Sequence, residues 1–356
     1  MEAWVVTEYG QPLEHVELPT PQPEGTQVRV AVEYCGLCHS DLHTWEGKTN
    51  LGRRGVMQRP KGLWPLAIGH EIIGRVTAMG PDAKDVKIGD RRIVYPWLGC
   101  GACRDCHTGR DNMCAVEGRG IGFRQHGGFA GEVMVPHERY LIDPGELDPA
   151  LAATYACSGI TVLSAVRKLL PLPEGEPLVM IGAGGLGLQA IAMARALGHT
   201  NIIVVENSEA KREAALAEGA ATFVVASGEG ATAMVLKAAG GKVMAVLDLV
   251  NSSDTALMAF DLLRKGGKMV QVGLFGGELV APLPLLTTQA ITVQGTLTGT
   301  VQDLKDVVAL AREGKLRAMP ITELPRAEAN AAIQRLVAGQ VKGRLVLRAE
   351  GVAPPG

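Results

Sequence analysis

The sequence has few aromatic residues, no excess of one charge and no long uninterrupted apolar run. Phe, Trp and Tyr make up 4% of the 356 residues, and the formal net charge is −2. A chain so close to neutral has no polyanion-binding signature, so we expect no nucleic-acid partner. No stretch of about 18 apolar residues is free of charges, so we expect no membrane span. The first residues lack a basic segment followed by an apolar one, so we expect no signal peptide and a cytoplasmic location.

Cysteine, by contrast, is informative where it occurs. Four of the seven cysteines form the run C-x2-C-x2-C-x7-C at Cys100, Cys103, Cys106 and Cys114. Thiolates at this spacing can converge on one tetrahedral zinc ion. In a reducing compartment, such a cluster indicates metal ligands rather than disulfides. A site with four thiolates has no open coordination position, so the run predicts a structural metal.

Composition and periodicity divide the chain into two parts, and its length suggests at least two domains. Up to about residue 150, runs such as Gln27–Glu33 alternate polar and apolar residues between Gly and Pro turns, which predicts mixed β structure. After about residue 155, wholly apolar runs such as Leu178–Ile181 alternate with helix-forming segments. That alternation predicts an α/β fold with a doubly wound parallel sheet.

A glycine-rich segment, Gly182-Ala183-Gly184-Gly185-Leu186-Gly187, follows the first of these strands and opens a helix. In that context G-x-G-x-x-G predicts a dinucleotide site with the pyrophosphate on the helix N-terminus. Glu206 ends the next predicted strand, where its carboxylate can accept hydrogen bonds from ribose hydroxyls and repel a 2′-phosphate. NAD is therefore favoured over NADP, although Lys211 and Arg212 lie near enough to meet a phosphate. Asp248, at the end of a later strand, either lines the cofactor cleft or caps a helix.

Other candidate metal ligands occur in three places: Cys38-His39-Ser40-Asp41-Leu42-His43, Gly69-His70-Glu71 and Ala156-Cys157. Each alone is weak evidence, because an isolated buried cysteine is usually a small hydrophobic residue. Cys35 is interpreted in that way. Two cysteines and one histidine can nevertheless form a three-ligand zinc site with an open position, as catalytic zinc requires.

These motifs occur in the order found in zinc-dependent alcohol dehydrogenases of the medium-chain dehydrogenase/reductase superfamily, which the chain resembles from about Val28 to Leu347. The resemblance implies a catalytic zinc bound by Cys38, His70 and Cys157. It implies a structural zinc bound by Cys100, Cys103, Cys106 and Cys114. It also implies roles for neighbouring residues: Glu71 as an acid that approaches the metal, Asp41 as the group that orients the histidine ligand, Ser40 and His43 as a proton relay, and His39 near the cofactor phosphates.

The resemblance also implies an architecture and a reaction. We expect a GroES-like mixed β catalytic domain at residues 1–156, with a structural zinc lobe at 97–115. A Rossmann NAD-binding domain follows at 157–296, and residues 297–356 return to the catalytic domain. The expected reaction is reversible oxidation of an alcohol to an aldehyde or ketone, by hydride transfer to NAD through a zinc-bound alkoxide. Two zinc ions per chain and a homotetramer or homodimer are expected.

Three other functions compete with this one. A polyol dehydrogenase of the same superfamily is disfavoured by Cys157, because many of those enzymes have a carboxylate as the third ligand. A zinc-ribbon binding module with a nucleotide-sensing domain would not need Cys38, His70 and Cys157. A zinc-free quinone reductase on the same fold is disfavoured for the same reason.

The segment Lys48–Leu66 is longer than in many members of that superfamily and carries Arg53, Arg54, Arg59 and Lys61. Our hypothesis is a lid that favours bulky or anionic substrates, and the alternative is a solvated loop or subunit contact. Trp45, Trp64 and Trp97 are candidates for an apolar substrate pocket or for ordinary core.

Overall fold

Two large β-sheets organise the chain. The structure is a computed structural model, and it describes residues 1–60, 64–317 and 319–352. The strands are β1 (Glu2–Val5), β2 (Glu14–Glu17), β3 (Val28–Leu37), β4 (Lys48–Asn50), β5 (Val56–Gln58), β6 (Glu71–Met79), β7 (Arg91–Val94), β8 (Glu132–Val135), β9 (Leu141–Ile142), β10 (Leu178–Ile181), β11 (Ile202–Glu206), β12 (Thr222–Val225), β13 (Val243–Asp248), β14 (Leu263–Gln271), β15 (Thr292–Gly295), β16 (Ile321–Pro325) and β17 (Arg344–Arg348).

The helices lie between these strands and cover the sheets. They are α1 (His39–Glu46), α2 (Arg104–His107), α3 (Pro149–Thr154), α4 (Ile160–Leu169), α5 (Gly185–Ala196), α6 (Arg212–Glu218), α7 (Ala231–Ala239), α8 (Ser253–Leu262), α9 (Leu283–Thr288), α10 (Val301–Arg312) and α11 (Ala329–Val337).

The six-stranded sheet is wholly parallel, in the order β12-β11-β10-β13-β14-β15. All residues of β10 and β11 are buried, as expected for strands covered by helices on both faces. The strand order reverses direction next to β10, and dinucleotides bind at the carboxyl ends of the strands at such a point. The doubly wound parallel sheet predicted from the alternating pattern is therefore confirmed.

The second large sheet is mixed, in the order β16-β17-β3-β6-β7-β9, with β8 also paired to β3. Strands β16 and β17 come from the C-terminal part of the chain, and β17 pairs antiparallel with β3. The C-terminal segment therefore returns to the sheet that the N-terminal part builds. The domain boundaries at residues 156 and 296 remain predictions.

A long helical segment, Pro149–Leu169, joins the two sheets. Its middle, Tyr155–Gly159, is a π-helical turn between α3 and α4. The segment is apolar and long enough to cross a membrane, but 89% of its most apolar window is buried inside the protein. We therefore assign it to the core. Such π-helical turns are frequent at functional sites, and this one contains Cys157.

The segment Lys48–Leu66, for which a lid was one hypothesis, contains regular structure within its described residues. Strands β4 and β5 form an antiparallel hairpin, with a 3-10 turn at Gly52–Arg54 between them. Val56, Met57 and Gln58 of β5 are all exposed to solvent. The alternation of polar and apolar residues that marks a half-buried strand is therefore absent from β5. Lys61 and Gly62, which belonged to the predicted lid, lie outside the described residues.

Candidate active site and metal centres

The four cysteines of the C-x2-C-x2-C-x7-C run converge on one point. Their Sγ atoms lie within 4.8 Å of one another. The Sγ–Sγ distance is 3.5 Å for Cys103–Cys106, 3.8 Å for Cys103–Cys114 and 3.9 Å for Cys100–Cys106. Tetrahedral Zn–S bonds of about 2.3 Å place sulfurs about 3.8 Å apart, whereas a disulfide requires about 2.05 Å. The set therefore fits a closed, structural zinc site.

Backbone groups in this lobe favour thiolate over thiol. The N–H groups of Glu117 and Cys100 donate to Cys114 Sγ and lower the pKa of that thiol to about 6. A zinc-binding cysteine must be deprotonated. The donor arrangement thus suits a metal ligand.

The second cluster unites residues that are distant in sequence. Ligand atoms of Cys38, His70, Glu71 and Cys157 lie within 4.8 Å of one another, and Cys38 Sγ is 4.0 Å from Cys157 Sγ. Cys38 precedes α1, His70 precedes β6 and Cys157 lies in the π-helical turn. His70 Nε2 is buried and has no hydrogen-bond partner among the described residues. A buried acceptor without a partner is costly, and a metal ion at this point would satisfy it. These residues therefore fit a zinc ion.

Asp41 holds two of these ligands in place. Its Oδ1 lies 2.8 Å from His70 Nδ1 and accepts the Gly69 N–H at 3.1 Å. Its Oδ2 accepts the Cys38 N–H at 2.9 Å, which caps the start of α1. Asp41 is fully buried. A carboxylate on the far nitrogen of a ligating histidine orients the ring and leaves Nε2 for the metal.

Arg344 is a neighbour that the sequence analysis missed. It lies in β17 and pairs with Oε2 of Glu71, and both side chains are buried. Burial raises the pKa of Glu71 to about 7, against the opposing effect of Arg344. The available signal in the sequence was a single cation within the otherwise apolar run Gly343–Leu347. Arg344 also contacts the glycine-rich turn. Its Cδ packs so closely on Gly185 that a Cβ atom added to this glycine would lie only 2.7 Å away.

Two aromatic rings flank His70. The ring centroid of Trp97 lies 5.4 Å from that of His70, and the Phe123 centroid lies 4.8 Å away. Trp97 and Phe123 stack at 5.3 Å. The sequence analysis named Trp97 but missed Phe123. Trp45 and Trp64 instead donate hydrogen bonds to the carbonyls of Gln11 and Thr7, on the N-terminal segment.

The glycine-rich turn has the geometry that a dinucleotide needs. Gly182 adopts a φ of +104°, which favours glycine. A Cβ atom on Gly187 would lie 2.2 Å from the Gly182 carbonyl oxygen, so only glycine allows the helix to pack this closely. The turn joins β10 to the N-terminus of α5, which includes Gly185, Leu186 and Gly187. Gly184 precedes the helix in an extended conformation.

Glu206 lies beside this turn at the end of β11. It accepts hydrogen bonds from the N–H groups of Ala183 at 2.8 Å and Asn207 at 2.9 Å. Lys211 Nζ lies 3.0 Å from Glu206 Oε2. Arg212 pairs with Glu209 and covers the Phe223 ring. Both cations that weakened the preference for NAD are thus engaged with protein partners.

Asp248 contacts the turn that follows β13 through one carboxylate oxygen, while its buried Oδ2 has no hydrogen-bond partner among the described residues. Its Oδ1 accepts the N–H groups of Val250 at 3.0 Å and Asn251 at 2.8 Å, and the side chain is fully buried. It therefore stabilises the turn after β13.

Helix α1 carries the predicted relay. Ser40 and His43 are three residues apart, which places them on one face. His43 is half-buried, and burial lowers its pKa. His39 is exposed at the first position of α1.

Comparison with known proteins places the chain in a family. A model described as "Alcohol dehydrogenase GroES-like domain" matches residues 24–144, and one described as "Zinc-binding dehydrogenase" matches residues 185–313. The NAD-dependent alcohol dehydrogenase of Sulfurisphaera tokodaii is 37% identical over 349 residues, 98% of this chain and 99% of that protein. That of Saccharolobus solfataricus is 36% identical over the same shares of the two chains.

Solved structures agree. The alcohol dehydrogenase of Aeropyrum pernix superimposes with a TM-score of 0.88 at 28% identity, over 98% of this chain and 100% of that one. A D-arabinose dehydrogenase from Sulfolobus solfataricus gives a TM-score of 0.81 at 27% identity, over 98% of both chains. The chain belongs to the zinc-binding alcohol dehydrogenase family of medium-chain dehydrogenases/reductases.

Proposed function

We propose that the protein is an NAD-dependent zinc alcohol dehydrogenase that interconverts small alcohols with aldehydes or ketones. The observation that carries this proposal is the contact between the proposed catalytic metal cluster and the glycine-rich turn. Cys38, His70 and Cys157 converge on one point, and Glu71 beside them pairs with Arg344, which contacts the glycine-rich turn. A dinucleotide on that turn would therefore have its reactive end near the metal residues.

Cys38, His70 and Cys157 would hold the catalytic zinc, and Cys100, Cys103, Cys106 and Cys114 the structural one. When bound, the catalytic metal would supply Lewis acidity that lowers the pKa of an alcohol hydroxyl, and NAD would supply the group that takes up hydride. Asp41 keeps His70 in the tautomer that presents Nε2. Trp97 and Phe123 contact the His70 ring and would shield one side of the cluster from water, which favours hydride transfer over side reactions.

Ser40 and His43 would carry the alcohol proton towards solvent. The lowered pKa of His43 keeps its imidazole neutral at pH 7, so Nδ1 or Nε2 can accept a proton. Glu71 would serve as an acid that approaches the metal when ligands exchange.

Gly182, Gly184, Gly185, Leu186 and Gly187 would cradle the pyrophosphate, with His39 near the phosphates. Glu206 would accept hydrogen bonds from the adenosine ribose. Lys211 supports this role because it pairs with Glu206 at 3.0 Å instead of presenting a free cation to a 2′-phosphate. NADP is therefore the less favoured cofactor.

We also propose a homodimer or homotetramer. The outer strand β15 is mostly exposed, including its Val293, and apolar side chains of the chain segment that leads from β14 to β15 also face solvent: Leu274, Phe275, Val280 and Leu283. An edge strand beside an apolar patch suits antiparallel pairing with a second copy about a twofold axis. Replacing Val293 with Lys should then lower the mass measured by light scattering.

The cytoplasmic location and the domain boundaries belong to the same proposal. The free cysteines support a reducing compartment, because thiolate zinc sites need reduced sulfur. The boundaries at residues 156 and 296 are supported by the separation of the two large sheets along the chain.

The experiment is NADH formation, followed by absorbance, with primary, secondary, cyclic and aromatic alcohols and polyols, each with NAD and NADP. We expect turnover with NAD and simple alcohols. Turnover confined to polyols would favour the polyol dehydrogenase alternative, and no turnover with any alcohol would refute the proposal.

A further inference from the structure

The hairpin of β4 and β5 reaches the nucleotide-binding sheet. The Asn50 carbonyl accepts the Gly277 N–H at 3.1 Å. Arg53 donates to Oε1 of Glu278 from Nε at 2.7 Å and from its backbone N–H at 3.3 Å. The Glu278 side chain also lies against Gly52. The tip of the hairpin is thus attached to one short segment of the nucleotide-binding part.

That segment, residues 273–279, follows β14 at the carboxyl edge of the parallel sheet. The Glu278 N–H donates to Ser253 Oγ at 3.0 Å, and Asn251 Nδ2 donates to the Gly273 carbonyl at 2.9 Å. The neighbouring Gly182 contacts Val250, so this edge includes the glycine-rich turn. The hairpin therefore lies over the edge at which a dinucleotide binds.

The base of the hairpin is attached to the other side of the cleft. The Arg59 N–H donates to the Gly47 carbonyl at 2.8 Å, and Arg59 Nη1 donates to Thr44 Oγ1 at 3.1 Å. Thr44 lies in α1, the helix of Ser40 and His43. The hairpin therefore connects the proposed relay helix with the cofactor edge.

We propose that Glu278 is a positioning residue that holds this hairpin across the cleft and slows cofactor release. This inference rests on the proposed NAD-linked function. The Arg53 side chain is 77% exposed and that of Glu278 is 28% exposed, so the ion pair is screened by solvent. Exposed ion pairs contribute little to the free energy of folding and weaken as the salt concentration rises. Such a weak contact suits a hairpin that must open in every catalytic cycle. Release of cofactor, rather than chemistry, limits turnover in many enzymes.

The test is the rate of NADH dissociation, measured by stopped-flow fluorescence on Glu278→Gln and Arg53→Gln. We expect each variant to release NADH about two- to fivefold faster, the range expected for one exposed ion pair. The single-turnover hydride rate should stay unchanged. In about 0.5 M salt the wild type should release NADH nearly as fast as the variants. Salt at this concentration screens the exposed ion pair, because the Debye length is then below about 10 Å.

Two controls distinguish loss of the Arg53–Glu278 contact from a nonspecific disturbance of the hairpin. Arg54 lines the same groove as Arg53 and has no ion pair within the described residues, so Arg54→Gln should release NADH at the wild-type rate. The double variant Arg53→Glu with Glu278→Arg restores the pair in reverse and should recover slow release. Release at the wild-type rate in both single variants would overturn the proposal.

Amide hydrogen exchange across residues 48–58 provides a readout that does not need turnover. We expect faster exchange in Glu278→Gln than in the wild type, without cofactor. A wild type that oxidises no alcohol would refute the proposed function but leave this test intact. Equal exchange in the two proteins would refute the role of Glu278, even in an active dehydrogenase.

Discussion

Asp41 Oδ1 lies 2.8 Å from His70 Nδ1, and the same carboxylate accepts the backbone N–H of Cys38. One buried side chain therefore orients two of the proposed zinc ligands. This arrangement explains how residues from α1 and from the start of β6 meet with the spacing that a metal requires. It also makes Asp41 the first target for testing the site.

Asp41→Asn should weaken zinc binding at the Cys38 cluster by about 10- to 100-fold, because the amide holds the His70 ring less strongly. Competition with a chelator measures the loss, while zinc in the four-cysteine lobe should persist. Asp82→Asn, an exposed change, is the control. Equal zinc retention in Asp41→Asn and wild type would contradict the assignment.

His43→Gln tests the relay. Burial lowers the pKa of His43, so the imidazole is neutral at pH 7 and loses its acceptor role only as the pH falls through that lowered pKa. In the wild type, kcat/KM for alcohol oxidation should fall on the acid side, and this inflection should vanish in the variant. The variant should be at least about tenfold slower at pH 7.

Imidazole buffer should partly rescue His43→Gln, because a small base can replace the missing acceptor. His15→Gln changes an exposed histidine and should retain the wild-type profile. An unchanged acid inflection in His43→Gln would exclude this residue from the relay.

Glu206→Gln should raise the ratio of kcat/KM for NADP to that for NAD by about tenfold or more. The change removes a negative charge that repels a 2′-phosphate and leaves Lys211 without its ionic partner. Steady-state kinetics with both cofactors measures the ratio. Glu213→Gln removes an exposed carboxylate of α6 that has no ion pair within the described residues, and it is the matched control. If Glu206→Gln keeps the wild-type preference, another residue selects the cofactor.

Cys103→Ser should remove zinc from the four-cysteine lobe and lower the Tm by more than about 4 °C, because a structural site contributes directly to folding. Activity per folded molecule should fall much less than it does when a catalytic ligand is lost. Calorimetry with metal analysis tests both statements. A variant that loses zinc without a change in Tm would show that the lobe is not stabilised by metal.

Much of the fold could be predicted because its signals are local. Strands such as β10 and β11 are continuous apolar runs, since helices cover both faces of a parallel sheet. Gly182 directly follows β10 and Gly187 lies in the first turn of α5. Both glycines are therefore close in sequence to the strand and the helix that pack against each other at this turn. The four cysteines of the metal lobe lie within fifteen residues.

Contacts between distant segments could not be predicted in the same way. Arg344 meets Glu71 only because β17 returns to β3, and no local pattern encodes that pairing. Phe123 reaches His70 from an irregular loop, so no periodicity marks it. The hairpin at Lys48–Gln58 was missed because its strands have three residues each and are largely exposed. Nothing in the sequence near Glu278 marks it as a contact residue, because its partner Arg53 is distant along the chain.

The central claim is that Cys38, His70 and Cys157 hold the zinc on which turnover depends. The most direct measurement is zinc per chain in purified Cys38→Ser, beside the wild type and a Cys35→Ala control, whose thiol is buried outside both clusters. We expect two zinc ions per chain in the wild type and the control. Cys38→Ser should hold one, remain folded and produce no NADH. Two zinc ions and normal turnover in Cys38→Ser would contradict the account.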